Sequence, residues 1–172
     1  MAILGPRLSQ QMESHFGLSR SEEKNYRSFE QFYPFYLSQH DDETCRYLHF
    51  AGSLIILLMA ASDKFIAIAL GLAALGGYGM MHFTAFMDHG AIEFAFTMFL
   101  YLFARKKLDG TSFKKAARVP LIGYAFAWVG HKFYELNTPA TFIYPVYSLA
   151  GDFRMLYEFI NSFFLMGLKA KA

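Results

Sequence analysis

The chain has 172 residues, a formal net charge of +2, 55% hydrophobic residues and only 17% charged ones. Soluble domains carry about a quarter charged residues, and here the apolar residues come in long runs separated by short charged clusters. So small a charge, with no basic stripe interleaved with aromatics, argues against a nucleic-acid partner, and the single cysteine, Cys45, rules out an internal disulfide.

In chain order, residues 1–45 form a polar and aromatic N-terminal segment that lacks the basic start and apolar core of a secretory signal. Near its end, Tyr33-Pro34-Phe35-Tyr36 reads as an interfacial anchor at the level of lipid headgroups. Residues 46–134 are predicted to form a transmembrane bundle. Leu48 to Ala61 is apolar apart from His49 and Ser53. Phe65 to Met87 holds no Lys, Arg, Asp or Glu, and as a helix it reaches roughly 34 Å, against about 30 Å of hydrocarbon core. Ala91 to Ala104 is interrupted by Glu93 and Thr97, and Val119 to Tyr134 carries His131 and Lys132 near its end. Turns are expected at Ser62-Asp63-Lys64, at Asp88-His89-Gly90 and at Asp109-Gly110. Six of the sixteen Lys and Arg residues fall between Arg105 and Arg118, a basic loop of the kind that stays cytoplasmic. Residues 135–172 give a motif loop, in which Pro139 stops the preceding helix, and a C-terminal helix whose apolar part, Phe153 to Leu168, spans or lies in the interface. The expectation is one all-α domain: an integral membrane helical bundle of about four transmembrane helices, with interfacial helices at both ends.

Four alternating spans gather the histidines. His40 and His49 lie where the first span begins, His82 and His89 where the second ends, and His131 near the end of the fourth. All five share the membrane face opposite the basic loop, while His15 sits apart in the N-terminal stretch. A lone interfacial histidine commonly hydrogen-bonds a headgroup or the backbone. A cluster of ionisable groups at membrane depth points instead to a functional site, and neutral imidazole is the commonest metal ligand. His131 and Glu135, four apart, share a helix face. With histidines from another helix, they could form a metal site that keeps open positions.

Two segments carry a family resemblance. They are FYPFYLSQHDDETCRYLHFAGS, Phe32 to Ser53, and GYAFAWVGHKFYELNTPATFIYPVYSLAGDFRM, Gly123 to Met155. With His-x8-His in the first and Gly-His-x3-Glu-x-Asn-x-Pro-Ala in the second, the chain resembles the small membrane proteins related to the fungal endoplasmic-reticulum 2-hydroxy fatty acid dioxygenase. The resemblance implies an Fe2+-dependent dioxygenase of fatty acid alpha-oxidation, which takes a 2-hydroxy long-chain fatty acid and O2 and shortens the acid by one carbon at the membrane interface. It implies His40, His49 and His131 as metal ligands; His82 is counted with them as the fourth, with His89 or Glu135 as the alternatives. Glu135 and Asn137 fall on family positions and are read as catalytic, followed by Pro139 and Ala140. Leu136 and Thr138 stand where basic residues are expected, leaving Lys132 or Arg46 to hold a substrate carboxylate. Endoplasmic reticulum and bacterial inner membrane both fit.

Three other readings compete with it. Six histidines without a His-x-x-His-His box do not fit a di-iron hydroxylase, and no nucleophile or base motif defines a zinc hydrolase. A non-catalytic membrane protein that binds lipid or a partner, with merely interfacial histidines, is the alternative function.

Overall fold

The computed structural model describes residues 24 and 26–169, so His15 and most of the N-terminal segment lie outside the described residues. Helices and their links make up all of the described residues, and no strand is found among them. Helix α1, Phe29–Ser38, starts at Ser28, whose hydroxyl accepts from the Gln31 N–H. Helix α2, Glu43–Ser62, starts at Asp42, whose carboxylate accepts from the Cys45 N–H at 2.8 Å. Both are N-caps of the ordinary kind. Asp63 alone separates α2 from α3, Lys64–Phe83, and it caps the new helix through the Phe65 N–H. Helix α4, Ala91–Asp109, ends on Gly110 at φ 73, a left-handed conformation that glycine adopts without penalty. A one-turn α5, Phe113–Ala116, leads into α6, Arg118–Gly130, which widens into a π turn over His131–Glu135. A short 3-10 turn, Ala140–Phe142, precedes α7, Pro145–Lys169.

The four long central helices form two antiparallel pairs. In the first, α2 lies against α6, with Cys45 beside Gly130, Gly52 beside Phe126 and Ile56 beside Gly123. In the second, α3 lies against α4, with Gly76 beside Leu100 and Gly77 beside Thr97. Small residues at these contacts let the backbones approach closely. One aliphatic core, including Ile56, Ile66, Ala69, Ala73 and Tyr101, joins the pairs at one end. At the other end, α7 lies across them. Val146 packs near Gly77 and Thr97, while further along Glu158 meets Tyr33 of α1 and Phe159 stacks on Phe50 of α2.

Two helices, α2 and α3, are long and apolar enough to cross a membrane. The expected third and fourth spans form helices but do not meet that measure. Helix α4 ends in the charged run Arg105 to Asp109, and the straight part of α6 is only 13 residues long. The run Phe65 to Met87 is also shorter as a helix than its hydropathy suggests, because it stops at Phe83. The Thr84 hydroxyl turns back onto the Met80 carbonyl and also meets Glu93. Glu93, fully buried, pairs with Lys24. At the opposite end, buried Arg105 bonds Asp63 and Asp109, both at 2.8 Å.

Tyr33 and Tyr36, expected as headgroup anchors, are buried instead. With Phe32, Tyr144, Tyr147 and Met155 they form a second, aromatic core between α1 and α7. The anchoring reading fails because the long amphipathic α7 supplies them with an apolar partner.

Candidate metal centre

The aromatic core holds up one wall of a histidine cluster. His40 sits in the turn between α1 and α2, His49 lies on α2, and His131 opens the π turn after α6. Gly130 decides how near the last can come. A Cβ at that position would meet the Cys45 sulfur at 2.8 Å, so only glycine lets the end of α6 close onto the start of α2. The π turn, a local widening often found at functional sites, then carries the chain away. It ends on Leu136, whose φ of 57 is uncommon for a residue with a side chain.

The three imidazoles are buried, and one ring nitrogen from each lies within 4.8 Å of the others. Each ring is oriented by its Nδ1. His40 Nδ1 meets the Tyr36 carbonyl at 2.7 Å, His49 Nδ1 meets an Asp152 carboxylate oxygen at 2.6 Å, and His131 Nδ1 meets the Asn137 side-chain oxygen at 2.6 Å. A carbonyl, a carboxylate and an amide oxygen only accept, so each Nδ1 carries a proton, and in the neutral ring it is Nε2 that keeps the lone pair. The Asn137 assignment follows from its other end, where the amide nitrogen donates to the Gln39 carbonyl at 3.1 Å. Such partners are what fix the tautomer of metal-binding histidines.

The Nε2 atoms of His40 and His49 are buried with no hydrogen-bond partner. The space beside them is a chamber of about 10 Å³ walled by the three histidines, Tyr36, Ser148 and Asp152. That is room for about one water-sized occupant. Three imidazole nitrogens, two of them otherwise unsatisfied, around a space that size fit a single metal ion, and imidazole suits iron among others. Burial, reinforced by the neighbouring His49, pushes the His40 imidazole down to about 3, so it is neutral and able to bind metal near pH 7. Burial and the Asp152 charge raise the Tyr36 hydroxyl well above its usual range, so it keeps the proton it donates to Asp152.

The remaining sequence expectations fare differently. Neither Glu135 nor Asn137 lines the chamber. Glu135 spends both oxygens on backbone, accepting from the Asp41 and Asp42 N–H groups at 2.9 and 2.8 Å, and so ties the π turn to the start of α2. Asn137 bridges His131 to Gln39. Glu135 thus ties down the segment after His131, and Asn137 orients the His131 ring. His82 does not join the three: it is exposed, with its ring edge-on to Tyr78. His89 is exposed as well. Arg46 donates to the His40 carbonyl at 3.3 Å, while Lys132 lies exposed over Phe133. Asp152 was missed. The available signal was an acidic residue at the start of the last apolar run, within the segment Gly123 to Met155 that carries the family resemblance.

Residues 26–163 match the family described as 2-hydroxy-palmitic acid dioxygenase Mpo1-like. The chain belongs to this family. No curated protein and no solved structure shows significant similarity to it. In this Mpo1-like chain a larger cavity of about 440 Å³ adjoins the histidine chamber, within the usual range for small-molecule sites of about 300–1,000 Å³. His49, Tyr124 and Asp152 border both spaces. The cavity lies between the two helix pairs, and its wall is mainly apolar, with Ile56, Ala73, Phe94 and Val119 among its residues. On the other side of His131, a groove of about 280 Å³ is lined by Trp128, Lys132 and Pro139.

Proposed function

We propose that this protein is a membrane-embedded, iron-dependent dioxygenase that converts a 2-hydroxy long-chain fatty acid and O2 into the fatty acid one carbon shorter, CO2 and water. That balance uses both oxygen atoms of O2 and requires no separate reductant. The observation that carries the reading is the buried trio His40, His49 and His131, with every Nδ1 committed to an acceptor and the remaining nitrogens turned on one ion-sized chamber.

These three histidines would hold Fe2+, which supplies redox chemistry with O2 and Lewis acidity toward a hydroxy-carboxylate. The chain's own residues do the rest. Asp152 keeps His49 in its binding tautomer and is itself held by Tyr36. Asn137 does the same for His131. The Ser148 hydroxyl, buried without a partner in the chamber wall, and Tyr124, which borders both chamber and cavity, would donate hydrogen bonds to the hydroxy-carboxylate. The acyl chain would enter the apolar cavity, which also keeps bulk water from the reacting carbon.

The same reading has α4 and α6 crossing the bilayer beside α2 and α3. All four helices carry large apolar side chains on outward faces, among them Leu58, Leu75, Phe99 and Leu121. Apolar surface so extensive needs a lipid neighbour. Helices α1 and α7 then lie at the interface, above the chamber.

The test is metal analysis of detergent-purified protein together with turnover of 2-hydroxypalmitate under air, with Fe2+ added and then chelated. About one iron per chain and iron-dependent loss of one carbon is the expected result. A protein that takes up no metal and stays inert with Fe2+ restored would be a lipid- or partner-binding protein instead.

A further inference from the structure

The apolar cavity is shorter than the chain it is proposed to hold. Its wall runs from His49 to Ile56 on α2 and from Ala127 to Val119 on α6. At 1.5 Å per residue those stretches measure about 10–12 Å. A bilayer core of about 30 Å gives roughly 15 Å to the acyl chains of one leaflet. A long acyl chain that starts at the histidine chamber therefore cannot end inside the protein if it stays extended.

The far end of the cavity is closed. Ile56, Tyr101 and Val119 line it there and are buried in the aliphatic core. The side wall on α3 is different. Gly71 lines the cavity yet is exposed, and a Cβ built on it meets nothing within 4 Å. Leu72 and Leu75, its neighbours on the outer surface of α3, are exposed at 49% and 72%. The wall thus opens at a glycine onto an apolar exterior, on one of the two helices apolar enough to span a membrane.

We propose that Gly71 marks a side window through which the distal part of the acyl chain passes from the cavity into the surrounding lipid. This rests on the acyl-chain reading above and deepens it. The protein grips the hydroxy-carboxylate and the first part of the chain, and the rest of the chain stays in the bilayer. Selectivity is then set near the head, and there is no upper limit on chain length.

The experiment uses full-length protein in lipid nanodiscs and a substrate series from 2-hydroxydecanoate to 2-hydroxytetracosanoate. In the unaltered protein, kcat/KM levels off with length. Gly71→Phe, which blocks the window, lowers kcat/KM for the longest acids relative to 2-hydroxydecanoate by about tenfold or more, because only their distal carbons need the exit. Leu75→Phe, on the lipid face one turn away, leaves the profile unchanged. Metal content equal to the unaltered protein shows that Gly71→Phe has folded. A sharp fall beyond one chain length in the unaltered protein, or a Gly71→Phe profile that matches it, overturns the window.

Photolabelling separates this proposal from the dioxygenase reading, because it needs no turnover. A 2-hydroxy fatty acid with a mid-chain diazirine should label residues 70–74, and Gly71→Phe should abolish that label. A terminal diazirine should label lipid. If the terminal diazirine labels Tyr101 or Val119 instead, the chain ends inside and the window is wrong, whether or not the protein oxidises the acid.

Discussion

Asp152 lies one residue removed from the proposed metal, and replacing it tests whether the histidine arrangement is functional. One of its oxygens accepts from both His49 Nδ1 and the Tyr36 hydroxyl. In Asp152→Asn the amide oxygen can occupy the same place, but both bonds lose their charge. Bonds to a charged group contribute about 1.5–3 kcal/mol against about 1 for neutral ones, so roughly 1 kcal/mol is lost at the bond to His49. About 1.4 kcal/mol is a factor of ten, which makes the expected fall in metal affinity about five- to tenfold. Asp152→Ala removes the acceptor altogether and leaves a buried imidazole N–H unpartnered. Outer partners of metal-binding histidines typically account for about 10–100-fold in affinity or activity, and the alanine variant belongs at the upper end. Tyr36→Phe keeps the bond to His49 and should cost less than either. The assay is competition for Fe2+ or Co2+ against a coloured chelator near pH 7, with 2-hydroxypalmitate turnover measured alongside. Asp152→Ala with unaltered metal affinity and turnover would refute the reasoning, because His49 would then be aimed without its carboxylate.

Four further outcomes are expected. Chelation should lower the melting temperature, and excess metal should restore it, since a ligand at a hundred times its Kd adds about 2.7 kcal/mol; His49→Ala should abolish that response and the turnover together. Asn137→Ala should weaken metal binding about tenfold, as loss of the partner that fixes the His131 tautomer implies. Glu135→Ala should lower stability by about 1–2 kcal/mol, the usual cost of losing a helix cap, in a denaturant titration of the metal-loaded protein. His82→Ala should leave metal content and turnover unchanged, and a variant that loses its metal would place His82 in the site.

The long apolar helices were legible because apolar runs as long as Phe65 to Met87 have few alternatives to a helix. Their connections were legible through Asp63 and Gly110, whose local chemistry ends and starts helices regardless of the rest of the fold. The gathering of His40, His49 and His131 follows from helix alternation, which depends only on the number of crossings. That same count put His82 beside them, and it fails there because alternation gives a side of the bundle and not a facing; His82 projects outward from α3. Asp152 was not legible, since its role depends on α7 crossing over α2, a long-range packing that no local pattern encodes. Glu135 was read by spacing as sharing a metal site with His131. The spacing assumes a continuous α-helix, and the π turn that begins at His131 rotates the carboxylate toward the Asp41 and Asp42 amides instead.

The wide separation of the histidine partners along the chain has a consequence for biogenesis. His49 and Asp152 are 103 residues apart, and the chamber also needs His131 and the turn at Pro139. A ribosome will have released α1, α2 and most of the bundle long before the last wall of the site exists. On the proposed reading of a membrane-embedded metal centre, the nascent protein cannot acquire its metal step by step as helices enter the membrane; loading has to wait until α7 has folded back over α1 and α2. Metal occupancy is then a report on completed assembly, and a chain truncated ahead of α7 should insert its first helices yet leave the cell's iron untouched.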